Sequence, residues 1–221
     1  MSIALNLARV RSTLPAGVTL VAVSKFHPPE AVREAWDAGQ RVFGESRVQE
    51  LTAKQPLLPP DIEWHFIGTL QTNKVKHIAP FIYMIQSIDS MNLLEEVDRQ
   101  AARCGRRIRV LLEIHIAEEA SKHGFTVDEC RAFMREGRAA ACPNVCIAGL
   151  MGMATFTDDA AQVEREFRRL HALFEEVKRD CPPGDSFTEL SMGMSGDYRL
   201  AVASGSTMVR IGTAVFGERG Y

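Results

Sequence analysis

Lys25 closes an apolar run, Val18 to Ser24, and offers the chain's sharpest chemistry. A lysine emerging from a packed barrel interior is desolvated, so its amine loses its proton more readily and can form a Schiff base with a carbonyl. The plainer reading is a solvated lysine marking the end of a strand. A second signal lies far down the chain in two stretches: Ser191, Met192, Gly193, Met194, Ser195, Gly196, and Arg210, Ile211, Gly212, Thr213. Glycine lets backbone N–H groups approach an anion, hydroxyls add donors, and a following helix start adds partial positive charge, so the pair suits a phosphate. Either stretch alone would also serve as a tight turn. An amine facing a phosphate site calls for a phosphorylated carbonyl substrate, as in a class I aldolase, or for pyridoxal 5'-phosphate. Spacing leaves both open.

The elements that must position these groups are legible as eight short apolar or β-branched runs: Val18 to Val23, Arg41 to Phe43, Ile62 to Ile67, Ile82 to Ile88, Ile108 to Ile116, Val145 to Met151, Phe187 to Leu190 and Thr207 to Ile211. Between them lie helical signals. Val163, Phe167, Leu170, Phe174 and Val177 share one stripe behind the capping candidates Thr157 and Asp158. Pro28 and Pro29 open a helix that Gly39 closes, Asp89 or Ser90 opens one that Gly105 closes, and Thr126 with Glu129 forms a capping box. Alternating strands and helices pair in parallel through right-handed crossovers. Dividing 221 residues among eight units gives about 28 each, enough for a (β/α)8 TIM barrel. The expected fold is therefore α/β, one barrel domain over residues 1–221. The alternative, an open doubly wound sheet, would want a glycine-rich fingerprint after the first strand, where Ser24, Lys25, Phe26, His27 and Pro28 stand. Barrel chemistry gathers at the carboxyl ends of the strands, which adds Gly44, Glu45, Gly68, Gln71, Asn73, Lys74, Ser87 and Asp89 to the candidates.

Composition narrows the function. The 26 basic side chains nearly cancel 28 acidic ones, and nothing global attracts nucleic acid or an anionic membrane. No apolar stretch approaches the roughly 20 residues a bilayer span needs. Met1 to Leu14 carries Arg9 and Arg11 behind its apolar residues and no small-residue cleavage site, so a cytoplasmic location is expected. Cys104, Cys130, Cys142, Cys146 and Cys181 form an odd, scattered set rather than a disulfide framework, and no histidine-rich partner follows them, so no metal site is expected.

Several segments together carry a resemblance: VAVSK (Val21 to Lys25), FGE (Phe43 to Glu45), VQE (Val48 to Glu50), WHFIG (Trp64 to Gly68), Leu70 with Gln71, Asn73 with Lys74, LSMGMS (Leu190 to Ser195), GST (Gly205 to Thr207) and VRIGTAVFG (Val209 to Gly217). From about Val18 onward the chain resembles the pyridoxal phosphate homeostasis protein family. The resemblance implies a barrel like the N-terminal barrel of alanine racemase without its C-terminal β domain, Lys25 as the Schiff-base lysine, phosphate contacts from Ser195, Gly212 and Thr213, and Arg210 near the pyridine nitrogen. Three positions depart from the family's pattern: Ser46 stands for an asparagine, Phe26, His27 and Pro28 for a Thr-Lys-Pro-like run, and His115 for a small polar residue.

An arginine at the ring nitrogen keeps that nitrogen unprotonated and weakens the cofactor as an electron sink. Racemases of this fold take a second acid/base, a tyrosine, from a further C-terminal domain, for which a chain ending at Tyr221 leaves no room. Tyr83 and Tyr198 read as strand and helix residues. The expected function is a carrier that binds, protects and delivers pyridoxal phosphate, with apo forms of cofactor-dependent enzymes as partners and a monomeric state. A low-activity racemase and a cofactor-free Schiff-base aldolase are the alternatives. His65 should face inward as a hydrogen-bonded core histidine, and Lys74, Lys76 and His77 form a solvated helix face from which Lys74 could steer a phosphate. Met151, Met153, Met192 and Met194 fit either an adaptable pocket wall or plain core.

Overall fold

A computed structural model describes residues 2–118, 124–180 and 186–218; Lys122, Cys181 and Tyr221 lie outside them. Each β-rich run pairs in parallel with the next: β1 (Thr19–Val23), β2 (Val42–Glu45), β3 (Glu63–Phe66), β4 (Met84–Ile88), β5 (Ile108–Ile114), β6 (Val145–Gly152), β7 (Glu189–Ser191) and β8 (Met208–Ile211). The eight form a closed barrel, sealed where Thr19 to Ala22 pair with Met208 to Ile211. Every strand end falls within two residues of its sequence expectation. Tyr83 is the exception in role, since it precedes β4 rather than belonging to it.

Period-two alternation sends one set of side chains inward, where Val21, Met84, Leu111, Ala148, Met151 and Met208 fill the barrel. The other set packs against the helices α1 (Ile3–Arg11), α2 (Pro29–Asp37), α3 (Val48–Lys54), α4 (Val75–Ile78), α5 (Met91–Arg103), α6 (Val127–Arg135), α7 (Ala160–Asp180), α8 (Tyr198–Ala203) and α9 (Thr213–Phe216). In α7 the stripe from Val163 to Val177 is buried, each large side chain contributing roughly 1.5–3 kcal/mol. Its cap is Asp159, whose Oδ1 accepts the N–H groups of Ala161 and Gln162 at 2.9 and 3.1 Å, in place of Thr157 or Asp158. Thr157 instead supports the cap by accepting the Asp159 N–H. Ser90 caps α5, Thr126 and Glu129 close the capping box of α6, and Pro29 opens α2.

β6 carries the one irregularity that matters for the interior. Its register against β5 jumps between Ile147 and Gly149, and at Gly149 a Cβ would fall 1.7 Å from the Glu189 carbonyl oxygen. The resulting bulge lets Ala148 and Met151 both face inward. Among the described residues no helix is long and apolar enough to cross a membrane.

Candidate functional site

A cavity of about 360 Å³ opens at the carboxyl ends of the strands, within the range of roughly 300–1,000 Å³ usual for small-molecule sites. Lys25, Ser195, Arg210, Gly212 and Thr213, the five residues singled out above, all line it, together with Val23, His27, Ile67, Met153, Phe156, Met194, Gly196 and Asp197. A larger hollow of about 600 Å³ lies toward the amino ends of β5 and β6, bounded by Arg107, Cys142 and Val145, away from this rim.

Lys25 sits on a turn immediately after β1. Ser24 receives β2 through its N–H to the Gly44 carbonyl at 3.0 Å, and the His27 N–H closes the turn onto the Ser24 carbonyl at 3.1 Å. Phe26, the third position of that turn, has φ +68°, the only positive φ of a non-glycine among the described residues. This position favours Gly or Asn, and holding a bulky side chain there costs about 1–3 kcal/mol. The Phe26 ring lies 4.8 Å from the Arg47 guanidinium, outside the cavity, whereas His27 turns into the cavity wall and stacks on Phe216 at 4.9 Å.

Arg210 rises from β8 inside the barrel and is only 4% exposed. Its Nη1 donates to Ser191 Oγ at 2.6 Å and its Nη2 to the Gly152 carbonyl at 3.1 Å. Ser191 in turn donates to Gln86 Oε1 at 2.7 Å, and the Gln86 amide reaches His65 Nδ1 at 2.8 Å. The chain of donors assigns His65 the tautomer that accepts at Nδ1. Burial, reinforced by the Arg109 charge, pushes the imidazole down to about 3, so it is neutral. Burial also pushes Arg210 down to about 10, with Glu113 and Asp197 pulling it back up; it remains a cation at neutral pH. The groups that hydrogen-bond the Arg210 guanidinium, Ser191 and the Gly152 carbonyl, are thus neutral.

The loop after β7 is fixed by one backbone and one side-chain acceptor. Arg210 N–H donates to the Gly193 carbonyl at 2.9 Å, and Asp197 Oδ1 accepts the Met194 N–H at 2.5 Å. Gly193, at φ +98°, lies so close to α8 that a Cβ would stand 2.6 Å from Ala201 Cβ. Gly196 differs: a Cβ there meets no protein atom within 4 Å. Its glycine is not demanded by packing and leaves the cavity wall open to close approach, as an anion cradle requires.

Other rim candidates go elsewhere. The Ser24 hydroxyl and the Glu45 carboxylate bond each other at 2.6 Å in a buried cluster against α3. Ser46, Gln71 and Lys74 line a separate hollow of about 240 Å³. Ser87 is buried and Asp89 accepts from Ser90. His115 donates its N–H to the Phe125 carbonyl beyond the cavity wall. Tyr83 stacks on His65, and the Tyr198 hydroxyl meets Thr13 Oγ1 at 2.9 Å, so neither reaches the cavity. The methionines divide: Met153 and Met194 line the cavity, Met151 and Met192 are core. Sequence reading missed Phe156 and Asp197 in the lining, and the Gln86–Ser191 link that holds Arg210. Alternation in β4 and β7 would have turned Gln86 and Ser191 inward; Phe156 gives no signal, being a loop residue 98% exposed.

A family model described as the alanine racemase N-terminal domain matches residues 1–220. The fold recurs in alanine racemase from Bartonella henselae, solved with covalently bound pyridoxal phosphate, at a TM-score of 0.74 and 16% identity, covering 99% of this chain and 59% of that one. Fold and match together define a barrel of the alanine racemase N-terminal class. Pyridoxal phosphate homeostasis proteins match more strongly: that of Homo sapiens is 43% identical over 213 residues, 91% of this chain and 77% of the relative, and that of Pasteurella multocida 38% over 236 residues, 100% and 99%. PipY of Synechococcus elongatus superposes with a TM-score of 0.92 at 42% identity over 97% of this chain and 100% of its own, and has also been solved with PLP bound. The chain belongs to the pyridoxal phosphate homeostasis protein family.

Proposed function

We propose that this protein holds pyridoxal 5'-phosphate in the cavity at the carboxyl ends of its strands and delivers it to apo forms of cofactor-dependent enzymes in the cytoplasm, acting as a monomer and one domain over residues 1–221. The observation that carries the reading is the convergence of an amine, a deep cation and an open glycine- and hydroxyl-bearing wall on one cavity of about 360 Å³. The residues fit the group: Lys25 for an aldehyde, Arg210 for a ring nitrogen that accepts, and Ser195, Gly212 and Thr213, beside the open Gly196, for a phosphate. When bound, the cofactor supplies an aldehyde that condenses with a primary amine, losing its oxygen as water. Lys25 would provide that amine. Arg210 stays protonated against burial and, as a weak acid, donates a hydrogen bond to the ring nitrogen without transferring its proton, which favours storage over carbanion chemistry. No tyrosine of the described residues lines the cavity as a second acid/base.

Lys25→Ala should abolish the borohydride-trappable adduct while leaving the fold intact, read by mass spectrometry and circular dichroism. An adduct mapped to Lys74 or Lys122 in the native protein would refute the assignment. Delivery is read by mixing the loaded protein with the apo form of a cofactor-dependent enzyme and following the return of its activity. Lys25-dependent exchange of amino-acid α-hydrogens for deuterium at about 1 per second or faster would replace the carrier with a racemase-like enzyme.

A further inference from the structure

Behind the Lys25 turn, on the helix side of β1 and β2, lies an ion cluster that the cavity does not use. Lys54, at the end of α3, is 4% exposed, and its Nζ donates to the Ser24 carbonyl at 2.8 Å, to Glu45 Oε1 at 2.8 Å and to Glu50 Oε1 at 2.7 Å. Those three acceptors use all its protons. Glu45 also accepts the Ser24 hydroxyl at 2.6 Å, and Glu50 Oε1 accepts the Phe26 N–H at 2.6 Å. The cluster therefore grips the residue before Lys25 by its carbonyl and side chain, and the residue after it by its amide. Phe26 is the residue held at φ +68°, a conformation that a chain left to itself would relax toward negative φ.

We infer that Lys54, Glu45 and Glu50 are positioning residues: they hold Ser24 and Phe26 in the strained turn that aims the Lys25 amine into the cavity. Core stability alone would not require this geometry, since a buried ion pair adds little over apolar packing and is retained where a unique arrangement matters. Glu50 gives the clearest case. Its side chain is 20% exposed, and it joins the cluster to the one amide whose position fixes the φ of Phe26. None of the three lines the cavity, so they act through Lys25.

This inference rests on the Schiff-base reading of Lys25, and its test separates the two. Pyridoxal 5'-phosphate and pyridoxine 5'-phosphate share ring and phosphate, but only the first carries the aldehyde. Affinity for both is measured by titration in Glu50→Ala, Glu50→Gln, Lys54→Met, Lys54→Arg and Lys25→Ala, with circular dichroism reporting the fold. Glu50→Ala should weaken the aldehyde ligand about 10- to 100-fold, the usual effect of losing a hydrogen bond to a charged group, while pyridoxine 5'-phosphate changes less than about twofold. Glu50→Gln keeps an acceptor oxygen and should retain most of the aldehyde preference. Lys54→Arg should recover part of what Lys54→Met loses. Equal weakening of both ligands, or no weakening of either in a folded Glu50→Ala protein, overturns the positioning role. Should Lys25→Ala keep the native preference for the aldehyde, the Schiff-base reading itself fails.

Discussion

Two polar groups of residues flank the cavity and are built in opposite ways. Inside the barrel, Arg210 is held by a line of neutral side chains, Ser191, Gln86 and His65. Outside it, Lys54 is fully paired with two carboxylates beneath α3. The inner line holds the guanidinium through neutral hydrogen-bond partners, with Glu113 and Asp197 favouring its charge, and the guanidinium faces the cavity. The outer cluster sets one ammonium against two carboxylates away from the cavity and transmits geometry to the Lys25 turn. Burial pushes the Glu45 carboxyl up, against the pull of the Lys54 ammonium and the Ser24 hydroxyl. A site that must be both electrostatically open and mechanically fixed separates the two tasks onto the two faces of the sheet.

Breaking the outer cluster should have the larger effect on stability. Lys54→Met leaves the buried Glu45 without its counter-ion and should cost about 3–5 kcal/mol in denaturant unfolding. Lys54→Arg should cost less by preserving the charge. In the inner line, Ser191→Ala takes away one acceptor of Arg210 and the donor to Gln86, both buried, and should cost about 1–3 kcal/mol. A loss as large as that of Lys54→Met would mean the inner line is equally dependent on complete pairing.

The neutrality of His65 sharpens the contrast. Its folded pKa of about 3 lies below the unfolded value of 6.5, so as pH falls the unfolded chain takes the proton first. The stability it contributes is complete above pH 6.5 and is lost as pH falls toward 3, by about 1.4 kcal/mol per pH unit. His65→Asn, which keeps an acceptor for Gln86, should unfold without that component; matching slopes for native and variant proteins between pH 6 and 4 would show that His65 is charged in the fold. The smallest stability effect belongs to the cavity wall. Gly196→Ala should shift unfolding by no more than about 0.5 kcal/mol, since its Cβ meets nothing, yet should weaken phosphate-bearing ligands. Unchanged affinity for pyridoxal 5'-phosphate would move the phosphate away from Gly196.

The fold was legible because it rests on local signals. Eight β-branched runs, a proline-opened helix and a Thr126–Glu129 capping box each specify their element without reference to distant residues. The cavity residues were legible through type and position: Lys25 and the loops at 191–196 and 210–213 fall at strand ends, and strand ends share a rim in any barrel. What escaped was direction. Glu45 and Ser24 also close their strands, but alternation turns their side chains outward to α3 rather than into the mouth. Lys54 left one trace, its i,i+4 spacing from Glu50, which reads as a surface helix pair and not as a buried anchor. Phe26 carried none, because a positive φ at a phenylalanine is imposed by surroundings that only the assembled barrel provides.

The seam between β1 and β8 has a consequence for biosynthesis. Lys25 follows the first strand and Arg210 lies in the last, and they face one cavity only because Thr19 to Ala22 pair with Met208 to Ile211. During translation Lys25 is made early and waits, with neither Arg210 nor the loops after β7 and β8, until the last strand has been made. A cavity lined by both groups therefore forms only when the last strand has paired with the first. Once the seam is shut, any molecule that binds across it stabilises the folded chain by mass action, so that loading and closure reinforce one another.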